Sequence, residues 1–277
     1  VNPSSQQIRV GADVGATLAK LAIRRGDEPL RLEIAPAEAI ERVAREVERL
    51  HPDRIGVTGA GASRLAGLVR LDTTPVGEFE AWSAGSRELL RGQGAAPDDP
   101  FLLVSVGTGT SALLVDGERV VRLGGTALGG GTFLGLGTIL TGRTGYEEIV
   151  AMAAAGDRRR VDLLIADIYP GGLEGLPAAA SAASFGKLPG LAARGDAGDP
   201  RDLAGALVGL VGENVALLCN ALAAGAGVRR IVFGGSALRG NAPLSHLLVG
   251  ITAALGREPV LLGNGEFAGA IGALLLG

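Results

Sequence analysis

Apolar residues near the start, in IRVGADVGATLAKLAIRRGDEPLRLEI, gather into three short runs separated by a small-residue turn and a polar Gly-Asp turn. That order predicts strand, turn, strand, turn, strand. From residue 101, FLLVSVGTGTSALLVDGERVVRL repeats it, with Asp-Gly at the second turn. Each copy carries a glycine and threonine cluster at its first turn, DVGAT at 13–17 and VGTGTS at 106–111. Such a unit presents hydroxyls and backbone N–H groups at one end of a sheet. Its recurrence predicts two similar halves facing each other across a cleft.

The spacing of Ile40, Val43, Val47 and Leu50 between opposite charges predicts an amphipathic helix over 37–50. DRIGVTGAGASRLAGL reads as a short strand, a glycine loop and a helix, and EFEAWSAGSRELLRG as a helix. The stretch 92–100, GQGAAPDDP, is the most linker-like, so the boundary between an N-terminal lobe (1–98) and a C-terminal lobe (99–277) is expected there. Beyond the second echo helices dominate: one from the GGGTFLGLG loop through Leu140, then YEEIVAMAAAG, RRRVDLLIADIY and a long helix capped by Asp199 with Pro200 first. RRIVFGGSALRGN and PVLLGNGEFAGAIGALLLG each read as a strand leading into a helix. The alternation makes an α/β protein, its sheets covered by helices.

Composition narrows the function. With 47% hydrophobic and 20% charged residues the chain can build a large core, and a net charge of −3 offers no basic field to nucleic acid or an anionic membrane. Six Phe, two Tyr and one Trp are too few for single-strand stacking platforms. Apolar runs are interrupted by glycine or charge, so no membrane span is expected, and VNPSSQQIRV lacks a signal-peptide pattern. A single cysteine, Cys219, reads as a small buried hydrophobe and fits a reducing cytoplasm. His51 and His246 stand apart, away from any cysteine, so no transition-metal site is expected.

The segment GGTALGGGTFLGLG, residues 124–137, is half glycine yet carries Leu128, Phe133, Leu134 and Leu136, unlike a flexible polar linker. A glycine loop opening a helix is the form of an anion site, where backbone N–H groups and the helix dipole point at the ligand. Glycine-rich ends also occur at 13–17, 107–111 and 234–236. No Walker run is present, nor a Rossmann fingerprint at the first strand. Four such ends in two echoing halves fit the two-lobed fold of actin, sugar kinases and chaperone ATPases, with duplicated ribonuclease H-like halves of mixed sheet flanked by helices.

The blocks DVGATLAK, EFEA, VGTGTS, RLGGTALGGGTFLGLGTILTG and AASFGK, with YEEIVAMAAAGDRRRVDLLIADIY, IVFGGSALRGN and GEFAGAIGALLL, run collinearly from about residue 8 to the C-terminus. In them the chain resembles the type II pantothenate kinases. The resemblance implies transfer of the ATP γ-phosphate to the hydroxyl of pantothenate, the first step of coenzyme A synthesis, and a homodimer. It implies that Glu78 is the general base, that Ser111 binds pantothenate, and that Arg122 binds the pantothenate carboxylate or the transferring phosphate. Asp13 would hold Mg²⁺ through water, and Gly15, Ala16, Thr17 and Lys20 would meet the ATP phosphates with Thr108 and Gly109. Gly130, Gly131, Thr132, Phe133 and Leu134 would offer the triphosphate a helix N-terminus, and Tyr146 and Ser236 would line the adenine pocket.

Glu80 and Arg119 are the lesser candidates beside Glu78 and Arg122. Two positions depart from the family pattern. Ala16 replaces a glycine, which a negative φ would tolerate, and Gly77 replaces a larger residue ahead of Glu78. The rival readings are a sugar or amino-sugar kinase of the same fold, and an ATP-dependent dehydratase activator. The activators hold an iron–sulfur cluster between subunits with cysteines, and this chain has only Cys219, in a helix. Apolar residues on more than one face of the helix from Asp199 to Ala224 give the expected dimer its surface.

Overall fold

The computed structural model describes residues 7–95, 99–172, 174 and 177–277. Residues 96–98 of the linker-like stretch lie outside the described residues. In the first half, β1 (Ile8–Val14), β2 (Leu18–Arg25) and β3 (Arg31–Pro36) form an antiparallel meander. Helix α1 (Ile40–Arg49) leads to β4 (Arg54–Thr58), parallel to β1, and α2 (Ala62–Leu68) to the short β5 (Thr74–Pro75). The sheet order is β3-β2-β1-β4-β5.

After α3 (Glu78–Gly92), strands β6 (Phe101–Val106), β7 (Thr110–Asp116) and β8 (Arg119–Thr126) repeat the meander. Then come α4 (Gly130–Thr141), α5 (Tyr146–Ala155), β9 (Leu163–Leu164), α6 (Ile165–Ile168), β10 (Ser181–Ala183), α7 (Leu188–Ala192) and α8 (Pro200–Gly225). β11 (Arg230–Gly234), α9 (Ala242–Ala254), β12 (Glu258–Leu261) and α10 (Ala268–Leu276) complete the chain. The second sheet runs β12-β11-β6-β7-β8, with β11 parallel to β6 as β4 is to β1. The echo read from the sequence is therefore a repeat of topology.

Alternation along β1 assigns its two faces. Val10, Ala12 and Val14 pack with Val43 and Val47 of α1, while Gly11 turns toward α10. A Cβ on Gly11 or on Gly56 of β4 would run into the carbonyls of Ala270 and Ala273, so the backbone of α10 lies directly on the first sheet. Gly85 of α3 and Gly272 of α10 similarly let those helices touch backbone to backbone.

The second core forms where Leu102, Val104 and Val106 meet Phe133 and the inner face of α8. Asp199 caps α8, accepting the Arg201 N–H at 2.8 Å, and Pro200 takes its first position. At 26 residues α8 is long and apolar enough to cross a membrane, which the reading of interrupted apolar runs did not foresee. Its Leu203, Leu207, Val211 and Val215 are instead buried in this lobe.

The expected helix over RRRVDLLIADIY is broken. A 3-10 turn at Arg158–Arg160, the strand β9 and the single turn α6 replace it. Asp162 is fully buried and accepts the Phe185 N–H at 2.8 Å, while Lys187 N–H donates to the Val161 carbonyl at 2.9 Å. Pairing with the following segment outweighs the helical periodicity.

Candidate active site

The two first turns, after β1 and after β6, meet across the cleft. The Thr17 and Thr108 hydroxyls stand 3.1 Å apart, within hydrogen-bonding distance. Around them lie two compartments. One, of about 550 Å³, is lined by Asp13, Gly15, Ala16, Thr17, Lys20, Glu78, Thr108, Gly109, Ser111, Arg122 and Ser236. The other, of about 500 Å³, is lined by Gly130, Gly131, Leu134, Tyr146 and Ser236. Thr17, Leu18, Gly107, Thr108 and Ser236 line both, so the compartments join at the two turns.

Asp13, next to the last residue of β1, stands directly opposite Lys20 of β2. Both are buried, and Lys20 Nζ donates to Asp13 Oδ2 at 3.4 Å. Burial raises the Asp13 carboxyl above its ordinary value, and the charge and hydrogen bond of Lys20 offset only part of that. Ala16 is not among the non-glycine residues with positive φ, so its methyl group fits the turn without backbone strain.

Glu78 is the first residue of α3 and opens into the same compartment. Its pKa is raised, first by desolvation and then by Asp13, with Lys20 pulling the other way. Glu80 turns elsewhere: its carboxylate lies where a Cβ of Gly77, the N-cap of α3, would stand. The absent side chain at Gly77 therefore makes room for Glu80 over the helix N-terminus, where a carboxylate is favoured. That separates the two glutamates, one on the helix end and one in the cleft. Trp82, a turn further along α3, also lines the cleft.

On the opposite wall, a bulge in the β7–β8 ladder places Arg122 against Leu113 and Gly124 against Ala112, leaving Leu123 extra. Arg122 Nη2 comes 2.8 Å from the point where a Cβ of Gly125 would be, and Gly125 pairs with Ser111. The cation and the hydroxyl are thus brought together.

The glycine run, which lines the second compartment with Gly130 and Gly131, also binds the protein's own backbone. The N–H groups of Gly130 and Gly131 already donate to the Gly107 and Thr108 carbonyls at 2.8 and 2.9 Å. A Cβ on Gly129 would stand 2.8 Å from the Gly109 backbone and from the Thr108 carbonyl. The start of α4 therefore grips the second turn, and those two N–H groups are spent on protein rather than free for an anion. Phe133 is fully buried, its ring edge-on to Tyr146 with centroids 5.3 Å apart, and Thr132 donates to the Ala127 carbonyl at 2.9 Å. Neither lines a compartment.

Gly235, beside Ser236, has φ +114° and no room for a side chain against Val106, so glycine is required there. Sequence reasoning missed Trp82, Thr126 and Arg239, which line the compartments, and Asn241, which is fully buried behind Tyr146. Cys219 is buried, its thiol pushed up to about 12 by desolvation, which fits its reading as a core residue.

A family model described as Fumble matches residues 77–276. A type II pantothenate kinase from Oceanobacillus iheyensis is 33% identical over 268 residues, 96% of this chain and 98% of the relative. One from Staphylococcus aureus is 33% identical over 270 residues, 98% of this chain and 100% of the relative. Among solved structures, the Acidaminococcus fermentans (R)-2-hydroxyglutaryl-CoA dehydratase component A superposes with TM-score 0.64 at 17% identity, covering 97% of this chain and 96% of the other. A Streptomyces griseus ROK family glucokinase in complex with glucose and AMPPNP gives 0.58 at 13%, covering 97% and 98%. At such identities these structures speak for the fold alone, the two-lobed actin-like ATPase fold.

Proposed function

The chain belongs to the Fumble family, that of the type II pantothenate kinases, and we propose that it transfers the ATP γ-phosphate to the hydroxyl of pantothenate. The product is 4'-phosphopantothenate, at the start of coenzyme A synthesis. One observation carries the reading: two compartments of substrate size share the residues of the two hydroxyl-bearing turns, Thr17 and Thr108, together with Ser236. A nucleotide in the compartment with Tyr146 would direct its γ-phosphate toward an acceptor in the compartment with Glu78.

Each residue then has a task. Glu78 takes the proton of the attacking hydroxyl, and its raised basicity suits a base working nearer neutrality than an ordinary carboxylate. Arg122 binds the acceptor carboxylate, where a planar fork of donors matches two oxygens, and Ser111 adds a hydroxyl. Lys20 balances phosphate charge, and the hydroxyls of the second turn orient the transferring group. Asp13 is the carboxylate placed to hold Mg²⁺ through water. The Asp13 carboxylate lines the compartment, and a magnesium ion needs only one or two carboxylates beside water and phosphate oxygens. When bound, the cation would neutralise charge on the phosphates.

Residues 1–98 and 99–277 are read as the two lobes, with α10 returning to cover the first sheet. A coupled assay with ATP and a panel of pantothenate, hexoses and amino sugars tests the activity. Turnover confined to pantothenate is expected, and turnover of a sugar without it would overturn the assignment. The homodimer is proposed through α4 and α8, which leave Ile139 79%, Leu217 54% and Leu136 39% exposed. Light scattering at micromolar concentration should give twice the monomer mass, and a single monomeric species would exclude the dimer.

A further inference from the structure

Tyr146 is tied through both of the hydrogen bonds its phenol makes. It donates to the Ala237 carbonyl at 2.5 Å and accepts from Asn241 Nδ2 at 2.9 Å. Chemistry fixes both directions, since a carbonyl can only accept and an amide nitrogen only donate. The Phe133 ring braces its edge. Through these contacts α5, which begins at Tyr146, is joined to the 3-10 turn Ser236–Leu238 and to the start of α9.

Tyr146, Ser236 and Ala237 line one compartment, whereas Asn241 is fully buried behind it. Asn241 also has a second task. Its Oδ1 accepts the Leu244 N–H at 3.1 Å and caps α9. One side chain therefore spends its acceptor on a helix and its donor on the phenol.

We infer that Asn241 is a positioning residue for the nucleotide: it sets the distance between the Tyr146 ring and the Ser236–Ala237 backbone across the slot that receives the base. The inference rests on reading that compartment as the nucleotide's. Asn241 makes no contact with the ligand and moves no proton. It works by giving the phenol a second fixed partner, at the start of α9, beside the Ala237 carbonyl. A role confined to capping α9 leads to a different outcome, since serine, aspartate and asparagine all cap helices well.

The test uses Asn241→Ser and Asn241→Asp, which keep a capping oxygen but remove the amide donor, together with Tyr146→Phe. Calorimetric titration with a non-hydrolysable ATP analogue is combined with KM for ATP and for pantothenate, and with melting curves. Losing one such hydrogen bond should raise Kd and KM for the nucleotide about fivefold. The KM for pantothenate should not move. Asn241→Ser combined with Tyr146→Phe should bind no more weakly than the weaker single variant, because Tyr146→Phe already removes the bond that Asn241→Ser breaks. If Asn241→Ser does not fold, Asn241→Asp and Tyr146→Phe give the same comparison.

Nucleotide affinity unchanged in the capping variants, equal losses for both substrates, or additive losses would each overturn the inference. Failure of the wild-type protein itself to bind the ATP analogue would instead remove the kinase reading beneath it.

Discussion

The turn after β1 and the turn after β6 occupy equivalent places in two sheets of the same strand order, yet they are made of different materials. The first is charged and open. Asp13 and Lys20 pair beneath it, and a Cβ on Gly15 would meet its nearest neighbours at 3.4 and 3.5 Å, ordinary contact distances. The second is uncharged and clamped. It offers Thr108, Thr110 and Ser111, and α4 seats it through glycines that leave no space for a side chain. Repetition of a topology has therefore not repeated the chemistry. One copy supplies fixed charge, the other fixed backbone, and the cleft needs both.

The largest effect should come from the charged side. Glu78→Gln keeps the shape and removes the base, so turnover should fall at least about 100-fold while affinity for an ATP analogue stays near wild type. Titration gives the sign. Because the Glu78 pKa is raised, the active carboxylate form is lost as pH falls through a value above the ordinary carboxylate range. Lys20 lowers that pKa, so Lys20→Met should move the acid limb of kcat/KM to higher pH. A limb that stays in place would detach Glu78 from the ion pair.

Next in size is the clamp. Gly129→Ala inserts a Cβ 2.8 Å from the Gly109 backbone and the Thr108 carbonyl, and overpacking of this kind costs about 1–3 kcal/mol. A lower melting temperature and at least a tenfold loss of kcat/KM are expected, read by thermal scanning and the coupled assay. The smallest effect belongs to the matching change in the open turn. Gly15→Ala should shift stability by less than about 0.5 kcal/mol and leave the activity within a few-fold, as the natural Ala16 already does without strain. If Gly15→Ala proved as damaging as Gly129→Ala, the contrast between an open and a clamped turn would collapse.

The two sheets were legible because strand patterns and turn chemistry are local. Asp-Gly at 116–117 and the small-residue turns carry their own geometry, and Asp199-Pro200 announces a helix start. What escaped was set by neighbours distant in sequence. The helical spacing in RRRVDLLIADIY is real, but Asp162 is claimed by Phe185, and no periodicity reports that. Gly130 and Gly131 were recognised as a close approach, yet which backbone approaches them depends on the second turn folding under α4. Phe133 sits one position along the helix from Leu134, enough to turn it from the cleft into the core. Asn241 escaped because the phenol that takes its amide donor, Tyr146, lies 95 residues away in sequence.

The seat of α10 on β1 and β4 has a consequence for how the molecule is made. On the ribosome, the first sheet emerges with the row of Gly11 and Gly56 bare, and the segment that covers it is synthesised only after the whole second sheet. Contacts of such high sequence separation form slowly, because the intervening chain must be ordered before they repay the closure. The N-terminal half can thus hold native strands during translation without completing its own hydrophobic packing, and exposed apolar surface of that kind is where aggregation and chaperone capture begin. Final assembly of the catalytic cleft and final burial of the first sheet then become a single late event.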